Sequence, residues 1–176
     1  AFIDAQGELQ RVGGRGAIID DAGGGHWIAR EALRRIWRAE DDSPGAWRDS
    51  PMATKLLQQM GGTDWAHTRN WVYGATRGEL GTLALGVAAT AGEDPAAMSL
   101  LMQAGTELAR LAQALIRRHG ARTVVLAGRV FNLHPAVEIA LRQELPPDTP
   151  VRRLGLPAHH AAAQIAASRA DTRHKR

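Results

Sequence analysis

From His26 to Gly120 the apolar residues of this chain return every three or four positions, and that spacing constrains the fold more than any other feature. Such a period lines one face of a helix and gives a strand no consistent face. Trp27, Ile28, Ala32, Leu33, Ile36 and Trp37 form the first stripe, which "DDSPGAW" ends. The same period runs through "SPMATKLLQQMG", "TDWAHTRNWVYG" and "TRGELGTLALGVAATAG", with short connections marked by Gly or Pro. Asp94 and Pro95 then supply an N-cap and a first-turn proline for a long helix that ends near Gly120. Its predicted stripe is Met98, Leu101, Met102, Leu108, Ala112 and Leu115. Trp27, Trp37, Trp47, Trp65 and Trp71 sit at helical spacing and read as packing residues rather than stacking platforms for bases.

The flanks follow a different pattern. "AFIDAQGELQRV" alternates around Gly7 and predicts a short hairpin. A chain that enters directly on a strand pattern is expected to have been separated from a segment that pairs with it. Downstream, Val124 to Ala127 form an apolar run that stops at Gly128, as a buried parallel strand does. His134 and Pro135 open a helix, "TPVRRLGL" predicts another strand and "AHHAAAQIAAS" a closing helix. No repeat occurs, and the order β, α cluster, β, α, β, α predicts an α/β fold in which helices pack on a sheet.

With 176 residues and 44 % hydrophobic content, one domain or one lobe of a larger protein is expected. Cysteine is absent, which excludes disulfides, thiolate metal sites and cysteine nucleophiles. Neither a membrane-length apolar run nor a secretory leader is present, so no membrane partner is expected and the location expected is cytoplasmic. The net charge of +4 is dispersed among acids along the helices, which predicts a solvated surface and no nucleic-acid partner. Arg173, His174, Lys175 and Arg176 read as a frayed basic tail over 171–176.

Chemistry concentrates in "GGRGAIIDDAGGGHW", residues 13–27. Glycines let a ligand approach the backbone, and a glycine-rich loop entering a helix suits an anion or a polyhydroxylated ligand; a mobile loop with glycine turns is the alternative. The loop matches neither the P-loop nor the dinucleotide fingerprint. Asp20 and Asp21 have three open roles: accepting from sugar hydroxyls, holding a metal through water, or capping the coming helix, which is the simplest. His159 and His160 are neighbours that point apart, the remaining histidines are dispersed, and no metal site is expected. No catalytic residue is assigned.

Taken with its helix, this loop resembles the ATP-dependent N-acetylglucosamine and glucosamine kinases, which belong with the ATPase domains of benzoyl-CoA-reductase-type activators. Their stretch runs Gly-Gly-Trp-Gly, three residues, Gly-Asp-Glu-Gly-Ser, two residues, Trp-Ile. Here Gly13, Gly14, Arg15 and Gly16 are followed by Ala17 to Ile19, then Asp20, Asp21, Ala22, Gly23 and Gly24, then Gly25 and His26, then Trp27 and Ile28, without a gap. "VVLAGRVFNLHPAVEIALRQEL" is similar to the family's adenosine-side segment, and the helical middle also looks like the family's, so the resemblance runs from about Phe2 to about Ala167.

The resemblance implies the C-terminal lobe of an actin-like ATPase, ribonuclease H-like fold over 1–170, with a central sheet, a large helical layer and an N-terminal lobe outside this chain. It implies ATP and Mg²⁺ as cofactors and an amino sugar as substrate, phosphorylated on its 6-hydroxyl. By position, Gly14, Arg15 and Asp21 would face the sugar, and Gly81 and Gly128 would lie beside adenine and ribose. Arg15 replaces the family's Trp, and Asp20, Ala22 and Gly24 replace its Gly, Glu and Ser, which leaves the choice of sugar open: Asp20 favours an ammonium-bearing sugar and Arg15 opposes one. The family's Asp-Thr-Gly-Gly-Thr phosphate turn and its general-base aspartate have no match here, so the segment alone is expected to be inactive. A truncated kinase and a natural half-protein both fit, as does a non-catalytic sugar- or nucleotide-sensing module. The activator ATPases themselves use cysteine-held iron–sulfur clusters, which this chain cannot form. Long helices leave an apolar face on which a homodimer is plausible.

Overall fold

Asp94 organises the helical layer. In the computed structural model, which describes residues 1–155 together with His160 and Ala163, this residue is 5 % exposed and its carboxylate caps the longest helix, α5 (Pro95–His119), by accepting from the Ala96 and Ala97 N–H groups at 2.9 and 3.3 Å. Its second oxygen accepts from Ser50 Oγ at 2.6 Å and from the Met52 N–H at 3.0 Å. Those groups begin α2 (Pro51–Met60), where Ser50 Oγ in turn accepts from the Ala53 N–H. One buried acid therefore satisfies donors that two helix starts leave without intrahelical partners.

The other helices are α1 (Gly25–Asp42), α3 (Trp65–Gly74), α4 (Arg77–Thr90) and α6 (Pro135–Glu144). Ile28, Leu56, Leu57, Leu83, Val87, Leu100, Leu101 and Val137 are buried at their junctions. The α1 stripe matches its period, and a short 3-10 turn at Ala46–Asp49 follows it. Along α5 the buried face differs from the predicted stripe: Ala97, Leu100, Leu101, Ala104, Gly105 and Ala109 are covered, and Met102 is 41 % exposed. Contact with α6 is the reason. A Cβ added at Gly105 would lie 2.2 Å from the Val137 carbonyl oxygen and 2.8 Å from Ala140 Cβ. The two helices meet nearly backbone to backbone at Gly105, and small residues rather than methionines permit that approach.

Strands form two separate pairs among the described residues. β1 (Phe2–Ile3) and β2 (Leu9–Gln10) make the predicted antiparallel hairpin, closed by Asp4, whose carboxylate accepts from the Gln6 and Glu8 N–H groups and from Gln10 Nε2. Phe2 fastens it to the end of α5, edge-on to His119 and beneath the Arg122 guanidinium. β3 (Val124–Leu126) and β4 (Val151–Arg153) pair in parallel, with Val124 opposite Val151. The fold is thus mixed α/β, mostly helical with small sheets.

The expected central sheet is corrected: the described residues hold two short pairs, and the core is made by helix–helix contacts. The run at Val124 is parallel as expected, yet only Leu126 is buried and Val125 is 55 % exposed, because helices cover one of its faces. Trp27, Trp37, Trp47 and Trp71 pack against the margin of the core; Trp65 is half-exposed and sits edge-on to Trp37. The predicted closing helix and basic tail lie outside the described residues, His160 and Ala163 excepted. Among the described residues no helix is long and apolar enough to cross a membrane.

Candidate functional site

The glycine-rich stretch folds back on itself before it enters α1. Arg15 N–H donates to the Asp20 carbonyl at 3.2 Å and Asp20 N–H to that of Gly16 at 2.9 Å, which leaves Ile18 and Ile19 exposed at the tip. Gly23 has φ +84°, and a Cβ there would meet the Ala104 carbonyl oxygen at 2.9 Å and Leu108 Cγ at 2.6 Å. Only glycine lets the loop lie this close to α5 in that conformation.

The adjacent acids diverge. Asp20 reaches α5, pairing with Arg110 at 3.0 Å and accepting from the Ala22 N–H at 3.2 Å. That backbone hydrogen bond, helped by lesser contributions from Arg110 and Arg15, holds its carboxyl below the usual carboxylate range in spite of the opposing effect of desolvation. Asp21 turns inward, its side chain 8 % exposed. Its Oδ2 is 3.0 Å from His26 Nδ1 and accepts from Arg77 Nη2 at 3.1 Å, and its Oδ1 is buried without a hydrogen-bond partner. A buried carboxylate oxygen without a donor is costly, and a ligand hydroxyl is a fitting donor for it. The simplest expectation for the pair, capping of α1, is corrected: Gly24 is the N-cap and no side chain caps it. Both carboxylates are drawn instead to cations on other helices.

Arg77 is presented by a capping box at the start of α4, in which Thr76 Oγ1 accepts from the Glu79 N–H and Glu79 Oε2 accepts from the Thr76 N–H at 2.7 Å. Beside it opens a cleft of about 710 Å³ between the first turn of α1, one face of α4 and the 3-10 turn Arg129–Asn132 that follows β3. Gly25, Gly78 and Gly81 form its backbone wall, and Leu85, Val130 and Leu133 its apolar wall. At Gly25 and Gly81 the two helices touch closely: a Cβ on Gly81 would lie 3.5 Å from the His26 backbone nitrogen. Its ionisable lining is His26, Arg77 and Arg129, with no acid. A pocket of this size, part apolar and part basic with glycine walls, is suited to a planar group carrying an anionic tail.

Of the residues singled out in the sequence, Gly81 lies in the cleft wall, Gly128 immediately precedes Arg129 with φ +104°, and Asp21 is bonded to two of the lining residues. Gly14 and Arg15 lie on the loop and do not line the cleft. Sequence reading missed His26, Arg77 and Arg129. His26 stands next to the helix entrance and was legible as a neighbour of Asp21. Arg77 is 56 positions from Asp21, and no local pattern signals that pairing. Among the described residues no three His, Asp or Glu side chains converge as a metal site.

A mostly helical α/β unit with a glycine-walled, basic cleft beside a buried carboxylate is what the fold and site define. No protein-family model and no curated protein matches the chain. Among solved structures it is similar to the crystal structure of a candidate N-acetylglucosamine kinase from Chromobacterium violaceum, with 30 % identity and a TM-score of 0.65 over 82 % of this chain. The match covers 47 % of that protein, so the chain spans about half its length.

Proposed function

We propose that the chain is the C-terminal part of an ATP-dependent amino-sugar kinase that transfers the γ-phosphate of ATP to the 6-hydroxyl of N-acetylglucosamine or glucosamine. The observation that carries this reading is the adjacency of two complementary features: a cleft sized for a nucleotide, and a buried Asp21 with one oxygen lacking a donor. Likeness to a candidate N-acetylglucosamine kinase supports it. In this reading the ribose and adenine lie along Gly81 and Gly128, against Leu85 and Val130. The sugar lies on the Asp21 side, near Gly14 and Arg15, with a hydroxyl donating to Oδ1. The fold is then one lobe of an actin-like ATPase.

Phosphoryl transfer depends on holding the γ-phosphate in line with the acceptor hydroxyl while that hydroxyl loses its proton. The described residues offer orientation and charge complementarity. They do not offer a Mg²⁺ site, since Asp20 is committed to Arg110 and Asp21 to His26 and Arg77. The phosphate-binding turn and the base belong to a further lobe, and we expect the chain by itself to bind ligands without turning them over. The test is ADP release with ATP and either sugar, run on this chain alone and on the longer protein that includes it. Turnover by the longer protein alone supports the reading; turnover by this chain alone refutes the division of labour. Absence of both activity and sugar binding in the longer protein refutes the kinase.

A further inference from the structure

Arg77 stands between the two ligand sides. Its Nη2 donates to Asp21 Oδ2 at 3.1 Å, while its side chain is 60 % exposed and lines the cleft. A guanidinium carries five N–H donors in a rigid planar fork, so one donor spent on Asp21 leaves an edge free for a second acceptor. The two acceptors then lie on different edges of the fork. The first contact also braces the side chain, because the carboxylate it holds is buried and has the same oxygen 3.0 Å from His26 Nδ1. A braced arginine loses less rotamer freedom when a ligand arrives.

The surrounding charges favour an anion on the free edge. Arg77 and Arg129 set against the Asp21 carboxylate leave one net positive charge at the cleft before His26 is counted, and no acid lines the wall. Glu79 of the same helix has its Oε2 on the Thr76 N–H and hydroxyl, Asp20 is paired with Arg110, and Arg30 donates to the Ala17 carbonyl. Arg129 reaches the cleft from the turn after β3, beside Gly128, and pairs with no acid among the described residues. We propose that Arg77 is a phosphate-binding residue: the free edge of its guanidinium donates to polyphosphate oxygens while Asp21 holds the other edge. This rests on the reading that the cleft takes a nucleotide, and it puts the polyphosphate at the start of α4, with the nucleoside toward Arg129. A phosphate held there is next to a sugar whose hydroxyl Asp21 accepts.

The probes are inorganic tripolyphosphate, ATP and adenosine, each titrated calorimetrically into the unmodified chain, Arg77→Gln, Arg77→Lys and Arg129→Gln. In Arg77→Gln we expect tripolyphosphate and ATP affinity to fall at least about tenfold, the loss typical of a hydrogen bond to a charged group, with adenosine affinity unchanged. A residue that only supports the wall would lower ATP and adenosine alike. Lysine keeps the charge without the fork and is expected to recover only part of the loss. Arg129→Gln is expected to cost tripolyphosphate less than Arg77→Gln does. Nitrogen NMR of the Arg77 Nε–H in the unmodified chain gives a readout independent of variant folding: its resonance is expected to move with tripolyphosphate and not with adenosine. An unchanged ratio of ATP to adenosine affinity in Arg77→Gln, full recovery by lysine, a larger loss in Arg129→Gln or an unmoved Nε resonance overturns the assignment. If ATP still binds the unmodified chain in those cases, the nucleotide reading of the cleft stands. If neither ATP nor adenosine binds it, that reading falls and the role of Arg77 with it.

Discussion

Replacing Asp94 with Ala tests whether a single acid ties the helical layer together. The side chain is almost fully buried and accepts four hydrogen bonds, two from the start of α5 and two from Ser50 and Met52 at the start of α2. A lost N-cap costs about 0.5–2 kcal/mol, and a hydrogen bond to a charged group is worth about 1.5–3 kcal/mol. These terms share one carboxylate and do not add, and the acid's own desolvation is recovered on its removal, so we expect a net loss of roughly 3 kcal/mol. For a chain of this length that corresponds to a fall in Tm of roughly 6–12 °C.

The pH dependence follows from the same geometry. Burial works to raise the Asp94 carboxyl pKa, but the hydrogen bonds from Ser50, Met52, Ala96 and Ala97 outweigh it and hold the pKa below its ordinary value. A lowered folded-state pKa gives stability that is present above the unfolded value of about 3.9 and is lost as pH falls through the folded one. Urea unfolding of both proteins at neutral pH and in steps below about pH 4 is the measurement, and the gap between them is expected to narrow in acid. A difference under about 1 kcal/mol at neutral pH, within the range of ordinary substitutions, refutes the reasoning.

Gly105→Ala is expected to destabilise by roughly 1–3 kcal/mol in the same assay, because the new methyl meets the Val137 carbonyl oxygen and overpacks a backbone contact. On an open helix face that change would stabilise by about 1 kcal/mol, so the sign alone decides. Gly81→Val places a branched side chain against the backbone of α1 at the cleft wall. ATP affinity by calorimetry is expected to fall at least about tenfold, the fold-change of about 1.4 kcal/mol, with sugar binding much less affected; equal loss of both would remove Gly81 from the nucleotide side.

Much of the fold was legible because its signals are local. Asp94 with Pro95, Ser50 with Pro51, Thr76 with Glu79 and His134 with Pro135 are helix starts that can be read from a few neighbouring residues, and the hairpin turns at Gly7. The glycine loop and Asp21 were legible as unusual chemistry for the same reason. Which face of α5 is buried was not legible, because its period admits more than one stripe, and α6 chose the one with Ala104 and Gly105. Nor were the partners of Asp21 and Asp20, which come from Arg77 and Arg110, 56 and 90 positions away.

By itself, the sequence determined where helices begin, where the backbone is free to bend and where acid groups cluster, since those depend on bonds and sterics within a few residues. Tertiary structure alone decided that two neighbouring acids part, one to α5 and one to His26 and α4, and that three basic side chains far apart along the chain wall a single cleft. Charges act through space, over distances that the order of residues does not encode.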